Sequence, residues 1–560
     1  MFKLFWKRSF TGMITCQTLG ALNDNVLRQA YLLLAIQLAG AEQQAAAVAF
    51  TAIPFIFFSP LAGQITDRFS KRDVIVWMKF VEVVVMSFAA WAAWHENLFG
   101  LLMGIFLMFG QSAFFSPSKY GILPEILAYE EMSEGNGILQ SSTYLAILFG
   151  GVIAGGLLEL APMYWLALFF VIVSLLGWLS SLIIEPLPPA DPELEINYNP
   201  FARMVESITW IRKDPFLFYL MLGYAYGWGA GAILTLAINV YGLEVLGLGE
   251  LLTSGLLVAL AMGIGLGSLL AGLWSEKKIE LGLIPLGAVG LTVTMFFLSL
   301  VSESVMAAYG WLFLGGIFSA LFLIPFQAAL QERPPKEKKG DLLASTNVFS
   351  FTGVVVASAV YVLLIELAGY GSRTLLFLVG IVTLAATVAL FFFLPWLLVR
   401  FALWTIAHLF FKVDAAGRKQ IPISGATLFR CGTKKLSTPL LINYVIPRPA
   451  YVLLPRNLYE NAASRWLFKL IGVIPYDPGS SGNEAVIDQV AEEFKTDRAV
   501  CLVGDEEALA LEKNLEELAE SKLHEVDVEI EIDRGDTVFS RLRTPAQVRF
   551  SNGVDEEERR

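Results

Sequence analysis

The chain has 560 residues, 56% of them hydrophobic and 16% charged, with a formal net charge of −11. Its mean hydropathy of +0.61 excludes an ordinary soluble domain and describes a protein whose main solvent is lipid. Three scattered cysteines (Cys16, Cys431, Cys501) and three scattered histidines (His95, His408, His524) give neither a disulfide framework nor metal-ligand spacing, so no metal and no cofactor are expected.

The N-terminus, MFKLFWKRSF, sets basic residues before an apolar run as a signal peptide does. That run is too long and lacks a small-residue cleavage site, so it reads as a retained first membrane helix. A bilayer core takes about 20 apolar residues per helix. Residues 10–398 divide into twelve such segments, near 11–39, 46–64, 74–94, 98–116, 137–158, 163–184, 216–241, 251–273, 280–301, 306–329, 343–367 and 374–398. The longest polar interruption, 185–215, splits them six and six. The expected fold class is an all-α polytopic membrane protein with two pseudo-symmetric halves, 1–184 and 216–398, which resembles the twelve-helix major facilitator architecture. A small α/β domain over 399–560 is expected to follow.

With a cytoplasmic N-terminus, sixteen basic residues, from Lys3, Lys7 and Arg8 to Lys339, fall on the inner side of these segments and only Arg373 on the outer. This asymmetry puts the central loop and both chain ends in the cytoplasm.

Segment 1 contains ALNDNVLRQAYLLL, residues 21–34. Asp24 and Arg28 are four apart, hence on one helix face, and Asn23 and Asn25 flank the acid. Charges at such depth must face the bundle interior or an aqueous cavity. Either they neutralise each other as an intrahelical ion pair, or they serve a transported ligand. After segment 2 stands GQITDRFSKR, which resembles the loop signature of the major facilitators. There Gly63 would let helices approach closely. Asp67 would accept from a helix N-terminus or an arginine, forming a cytoplasmic gate with Arg68 and Arg72. The alternative is that the bases only fix topology. GSLLAGLWSEKK (267–278) echoes this motif in the second half.

In segment 3, Lys79 and Glu82 stand three apart and can neutralise each other. Segment 4 ends in SPSKYGILPEI, where Lys119 is either a phosphate donor or another inner-side charge. Segment 5 carries a polar face of Asn136, Gln140, Ser141, Ser142 and Thr143, and Gly150, Gly151, Gly155 and Gly156 for close packing. Segment 11 adds Ser345, Thr346 and Asn347.

LNDNVLRQA, SPSKYGILPEI, NGILQSST, GSLLAGLWSEKKIELGLIPLG and IPFQAALQERPPKEKKG together resemble the lysophospholipid transporter family, a branch of the major facilitators, over residues 10–398. The resemblance implies movement of lysophospholipid, chiefly lysophosphatidylethanolamine, across a bacterial inner membrane for re-acylation on the cytoplasmic side. Lys119 would meet the phosphate and Asp24 the ammonium of the headgroup. Asn25, Arg28, Asn136, Gln140 and Asn347 complete the candidate substrate site. The partners implied are the lysolipid, membrane lipids, and a separate acyltransferase or acyl-carrier-protein synthetase; no nucleic acid is expected. The runner-up is a drug or metabolite exporter, disfavoured because FGGVIAGG lacks the glycine-proline pair usual in segment 5 of drug-proton antiporters. Proton coupling through Asp24 or Glu82 stays open.

Beyond residue 400 the chain turns polar. PWLLVRFALWTIAHLFFKV leads out of segment 12 as an amphipathic stretch. The rest resembles the glycerolipid acyltransferase domain fused behind the transporter in many relatives. Those enzymes use a histidine as general base and an aspartate five positions on. Aligned from Cys431, those places hold Thr433 and Thr438, and CLVGDEEA replaces the later Pro-Glu-Gly block. Arg456 is a candidate phosphate contact or a surface residue. His408 in the apolar lead-in and His524 in a charged helix-like segment have no aspartate at the required spacing. An inactive acyltransferase-like module is expected, with no catalytic residue, against the alternative of a bifunctional transporter-acyltransferase. No counterpart of the adenylating third domain of the longest fusions is expected.

Overall fold

The structure is a computed structural model that describes residues 6–127, 131–189, 191–194, 196, 208–275, 279–300, 304–332, 339–394, 396–416, 427–432, 438–446, 450–460, 468, 472–477, 486–490, 499–504, 524–532 and 544–551. Its contacts divide the chain into two compact units: Met1–Ala271 with Gly287–Leu390, and Gly272–Leu286 with Phe391–Arg560.

The first unit is a helical bundle. Its first half comprises α1 (Arg8–Ala39), α2 (Gln44–Arg68), α3 (Lys71–Trp94), α4 (Leu98–Gly121), α5 (Met132–Leu160) and α6 (Met163–Ser181). Its second half comprises α7 (Pro215–Val240), α8 (Glu250–Trp274), α9 (Leu283–Leu300), α10 (Val305–Glu332), α11 (Lys339–Val362) and α12 (Ser372–Phe393). Among the described residues eleven helices are long and apolar enough to cross a membrane, and α1 is the expected segment that falls outside this set. Its 32 residues reach about 48 Å at 1.5 Å per residue, so length is not the reason. Gln17, Asn23, Asp24, Asn25, Arg28 and Gln29 lower its hydropathy instead. These polar groups are tolerated because α1 is a central helix, packed on α4, α5 and α6 and buried around its circumference.

The peripheral helices show the opposite pattern. Trp77, Trp91, Trp94, Tyr164 and Trp165 are exposed, and Trp94, Tyr164 and Trp165 pack together where α3 ends and α6 begins, as interfacial aromatics do. Small residues set the closest crossings. A Cβ on Gly263 of α8 would lie 2.0 Å from the Phe313 carbonyl oxygen of α10, and one on Gly316 would lie 2.0 Å from that of Leu260. Only glycine permits this approach. Across the halves, α2 packs on α11, with Phe55 and Phe351 stacked at 4.7 Å.

Expected segment 12 is two helices. α12 stops at Phe393 and α13 begins at Trp396, running to Phe410; the sequence between them contains Pro395, which lacks the N–H that a continuing helix needs. In the second unit α13 precedes β1 (Phe411–Ala416), β2 (Thr427–Cys431), α14 (Thr438–Val445), β3 (Ala450–Pro455), α15 (Arg456–Glu460), β4 (Val473–Tyr476), β5 (Ala499–Val503), β6 (His524–Ile532) and β7 (Thr544–Ser551). Among the described residues the sheet has seven strands in the order β1-β7-β6-β2-β5-β3-β4, and every pairing is parallel except β6 with β7. β5, AVCLV, is buried throughout, as a central parallel strand should be. The segment at His524 is a strand rather than a helix: HEVDVEIEI alternates, and Val526, Val528 and Ile530 are buried.

Arg400 of α13 anchors this unit and is 1% exposed. It donates from Nε to Glu280 at 2.9 Å, and from one terminal nitrogen to the carbonyls of Asn443 and Ile446 at 2.5 and 2.7 Å. The guanidinium thus answers a buried acid and caps the carbonyl end of α14. Arg400→Met is expected to remove the guanidinium that neutralises buried Glu280 and to destabilise the unit by about 3–5 kcal/mol, read as accelerated limited proteolysis of the C-terminal region in the full-length protein. Cys16, Cys431 and Cys501 are all buried, and burial pushes the Cys501 thiol well above its ordinary range. No cysteine should therefore label with maleimide before denaturation.

Candidate functional site

The polar stretch of α1 does not resolve into the intrahelical ion pair. Asp24 accepts from Ser112 Oγ of α4 at 3.1 Å, whereas Arg28 donates to Asn25 Oδ1 at 3.0 Å. Asn25 in turn donates to the Ala21 carbonyl at 2.7 Å. Among the described residues no ion pair joins Asp24 to Arg28. Asp24 Oδ1 and Arg28 Nε are buried without a hydrogen-bond partner, so one acceptor and one donor site stand open a helical turn apart.

The buried ion pair of this half lies next door. Lys79 and Glu82 of α3 meet at 2.7 Å with side chains 2% and 0% exposed, and the Lys79 ammonium sits 4.6 Å from the Phe115 ring centroid. Gly20 of α1 makes the room: a Cβ there would fall 2.1 Å from Lys79 Nζ. Gly150 of α5 allows the other close approach, its Cβ position being 2.7 Å from Asn25 Cβ. Gly155 does the same against the Glu250 carbonyl oxygen at 2.6 Å, whereas Gly151 faces open space and Gly156 only ordinary contact.

Between the halves lies a cavity of ≈ 450 Å³. α1 contributes Arg28 and Leu32, and α2 contributes Val48 and Thr51. Most of the wall comes from the second half, including Tyr226, Trp228, Leu323, Gln327 and Thr383. Arg28 is the only charged side chain among its described lining residues. Near one end of the bundle a buried hydrogen-bond seam joins the halves. Gln29 donates to Asn239 Oδ1 at 3.1 Å and to Ser254 Oγ at 3.3 Å. Asn239 donates to Gln44 at 3.3 Å, and Gln44 donates to the Tyr361 hydroxyl at 3.3 Å. That hydroxyl donates to the Ala41 carbonyl, also at 3.3 Å.

Of the site residues expected from the sequence, Arg28 lines this cavity, and Asp24 and Asn25 sit one turn away on α1 without lining it. Lys119 is half-buried at the end of α4, with Nζ 4.9 Å from the Tyr120 ring centroid, and does not line it. Asn347 is exposed on α11 and does not line it either. The side chains of Asn136 and Gln140, and residue Thr433, lie outside the described residues.

The loop motif works differently from the expectation. A Cβ at Gly63 would meet nothing within 4 Å, so no close helix approach depends on it. The Asp67 side chain is exposed at the end of α2, where water solvates it, and among the described residues it forms no ion pair. Its backbone carbonyl accepts from the Asp191 N–H at 2.9 Å. Arg68 lies 5.8 Å from the Phe69 ring centroid. Lys71 instead carries the contact, pairing with Glu125 of SPSKYGILPEI and so joining the two motifs. Arg72 donates to the Ile184 carbonyl just past α6 at 3.2 Å.

Sequence reasoning missed the second-half wall and the amide seam. The signals were GYAYGWGAG at 223–231, aromatic side chains interleaved with small ones, and the amide of Asn239 isolated within an apolar run. Among the described residues no group of histidine, cysteine and carboxylate side chains could hold a metal.

The family description Major Facilitator Superfamily matches residues 13–358. The chain belongs to the major facilitator superfamily. Its similarity to the lysophospholipid transporter LplT of Klebsiella pneumoniae (strain 342) is 31% identity over 335 residues, covering 59% of this chain and 81% of that protein. LplT of Serratia proteamaculans is 28% identical over 370 residues, covering 64% and 89%. A crystal structure of a POT family transporter in complex with 5-aminolevulinic acid aligns with TM-score 0.57 at 14% identity, covering 70% of this chain and 97% of that one. This last likeness speaks for the superfamily fold alone.

Lys79→Met should strand Glu82 and destabilise the bundle by about 3–5 kcal/mol, while Lys79→Met with Glu82→Leu should cost much less than the two single changes summed. Thermal denaturation of the purified protein in detergent measures both.

Proposed function

We propose that this superfamily transporter moves lysophospholipids across a bacterial inner membrane to the cytoplasmic side by alternating access, supplying them for re-acylation. One observation carries the reading: the cavity sets a single guanidinium, Arg28, in walls that are otherwise apolar, aromatic or uncharged. That polarity suits an amphiphile with an anionic headgroup, because hydrocarbon matches the walls and a phosphate satisfies the guanidinium. The similarity to proteins named lysophospholipid transporter over 64% of the chain supports the same substrate class. The excess of basic residues on one side supports cytoplasmic termini.

In this reading Arg28, whose Nε is unpartnered, contacts the phosphate, and Asn25 holds its terminal nitrogen in place. Asp24, with Oδ1 unpartnered, receives the ammonium of an ethanolamine head. Lys119, Asn136, Gln140 and Asn347 are candidate contacts at other stages of the cycle, and Gly63, Asp67, Arg68 and Arg72 border the cytoplasmic gate. The C-terminal unit is an acyltransferase-like fold without the His-Asp pair. Thr438, at the aspartate's place, is buried at the start of α14 and has no carboxylate to offer. Arg456 is engaged by Asp477 at 2.8 Å rather than held open for a phosphate. Its role is to dock a separate acyltransferase or acyl-carrier-protein synthetase.

The test is transfer of labelled lysophosphatidylethanolamine in proteoliposomes of the full-length protein. Wild type should transfer it, and Arg28→Gln should lose about ten- to a hundredfold, the size expected for one charged hydrogen-bonding contact, with Arg28→Lys retaining part. Folded wild-type protein that transfers no more than empty liposomes would overturn the reading in favour of a small-molecule exporter. With an acyl donor added, no diacyl product is expected.

A further inference from the structure

Most of the cavity wall behaves as hydrocarbon even where its residues are polar. The Tyr226 hydroxyl donates to Thr383 Oγ1 at 2.7 Å, and Thr383 donates to a carbonyl of its own helix at 2.7 Å. Thr235 and Ser268 do likewise, at 2.9 and 2.7 Å. With these hydroxyls satisfied inside the wall, the groups left to face the void are mostly rings, methyls and methylenes, with Gln327 and Ser319 the polar exceptions. The wall thus offers a ligand few hydrogen bonds, and a polar solute entering it would lose its water without replacement. Charge is confined to Arg28, on the first-half side.

Gly231 of α7 lines this void, and a Cβ added there would meet nothing within 4 Å. Gly227, one turn earlier, differs: a Cβ there would strike Leu323 at 2.4 Å. Gly231 is therefore a wall position whose missing side chain leaves space to the cavity rather than to a packed neighbour.

We propose that the second-half side of the cavity is the compartment for the ligand's hydrocarbon chain, and that Gly231 sets the chain length it admits. This rests on the lysophospholipid reading above. A side chain at Gly231 grows into the void without displacing the wall, so it shortens the compartment and leaves Arg28 untouched. Long chains are then excluded by volume, while short chains with the same headgroup still fit.

The experiment compares lauroyl and stearoyl lysophosphatidylethanolamine in the proteoliposome assay, using wild type and the series Gly231→Ala, Gly231→Val and Gly231→Leu, each checked for wild-type thermal stability in detergent. The expected result is lauroyl transfer near wild type throughout, with stearoyl transfer falling progressively to at least about tenfold below wild type. If Gly231→Leu fails to fold, the Ala and Val steps still report the trend. Equal losses for both lipids, or no loss for either, would overturn the chain compartment while leaving the transport reading in place. Wild-type protein that transfers neither lipid would overturn the transport reading itself.

Discussion

The constraint on which the bundle depends is that polar groups carried into a membrane interior must find their answer inside the protein. α1 brings in more of them than any lipid-facing helix could, and the first half is arranged around that fact. Its neighbours supply Ser112, Thr143 and the Phe170 carbonyl to Asp24, Gln17 and Asn23. Gly150 brings α5 close to the α1 backbone, and Gly20 leaves room for the Lys79 side chain. What is left unanswered on α1, one oxygen each of Asn23 and Asp24 and one nitrogen of Arg28, is small in number and close in position.

Much of the helical architecture was legible because a bilayer fixes segment length and leaves hydropathy to mark it. Legibility failed where composition and environment diverge. α1 was legible as a membrane helix, but the partners of its polar groups are invisible in one dimension, and Lys71 pairs with Glu125 54 positions away. Asp24 and Arg28 share a helix face, yet the face does not determine that Asn25 and Ser112 are the nearer partners. The cavity's wall escaped for a similar reason: its parts sit on different helices, and no single segment carries a signature of enclosing a void. In the C-terminal unit the alternation in HEVDVEIEI was the better guide than the density of charge around it.

The C-terminal unit takes in Gly272–Leu286, the connection between α8 and α9, as well as everything after Phe391. Glu280 from that connection meets Arg400, which in turn holds the end of α14. A segment between two membrane-length helices is thereby part of the hydrophilic unit's own core, so the two units are interleaved along the chain and are not simply consecutive.

The buried seam between the halves consists of amides, hydroxyls and a backbone carbonyl, with no ionised group among Gln29, Gln44, Asn239, Ser254 and Tyr361. Neutral hydrogen bonds contribute roughly 1 kcal/mol each, so the whole seam amounts to a few kcal/mol. That is the scale at which a second conformation keeps a measurable minority population at ambient temperature. Lacking net charge, a seam of this kind is insensitive to the counterions and membrane voltage that would bias one built from salt bridges.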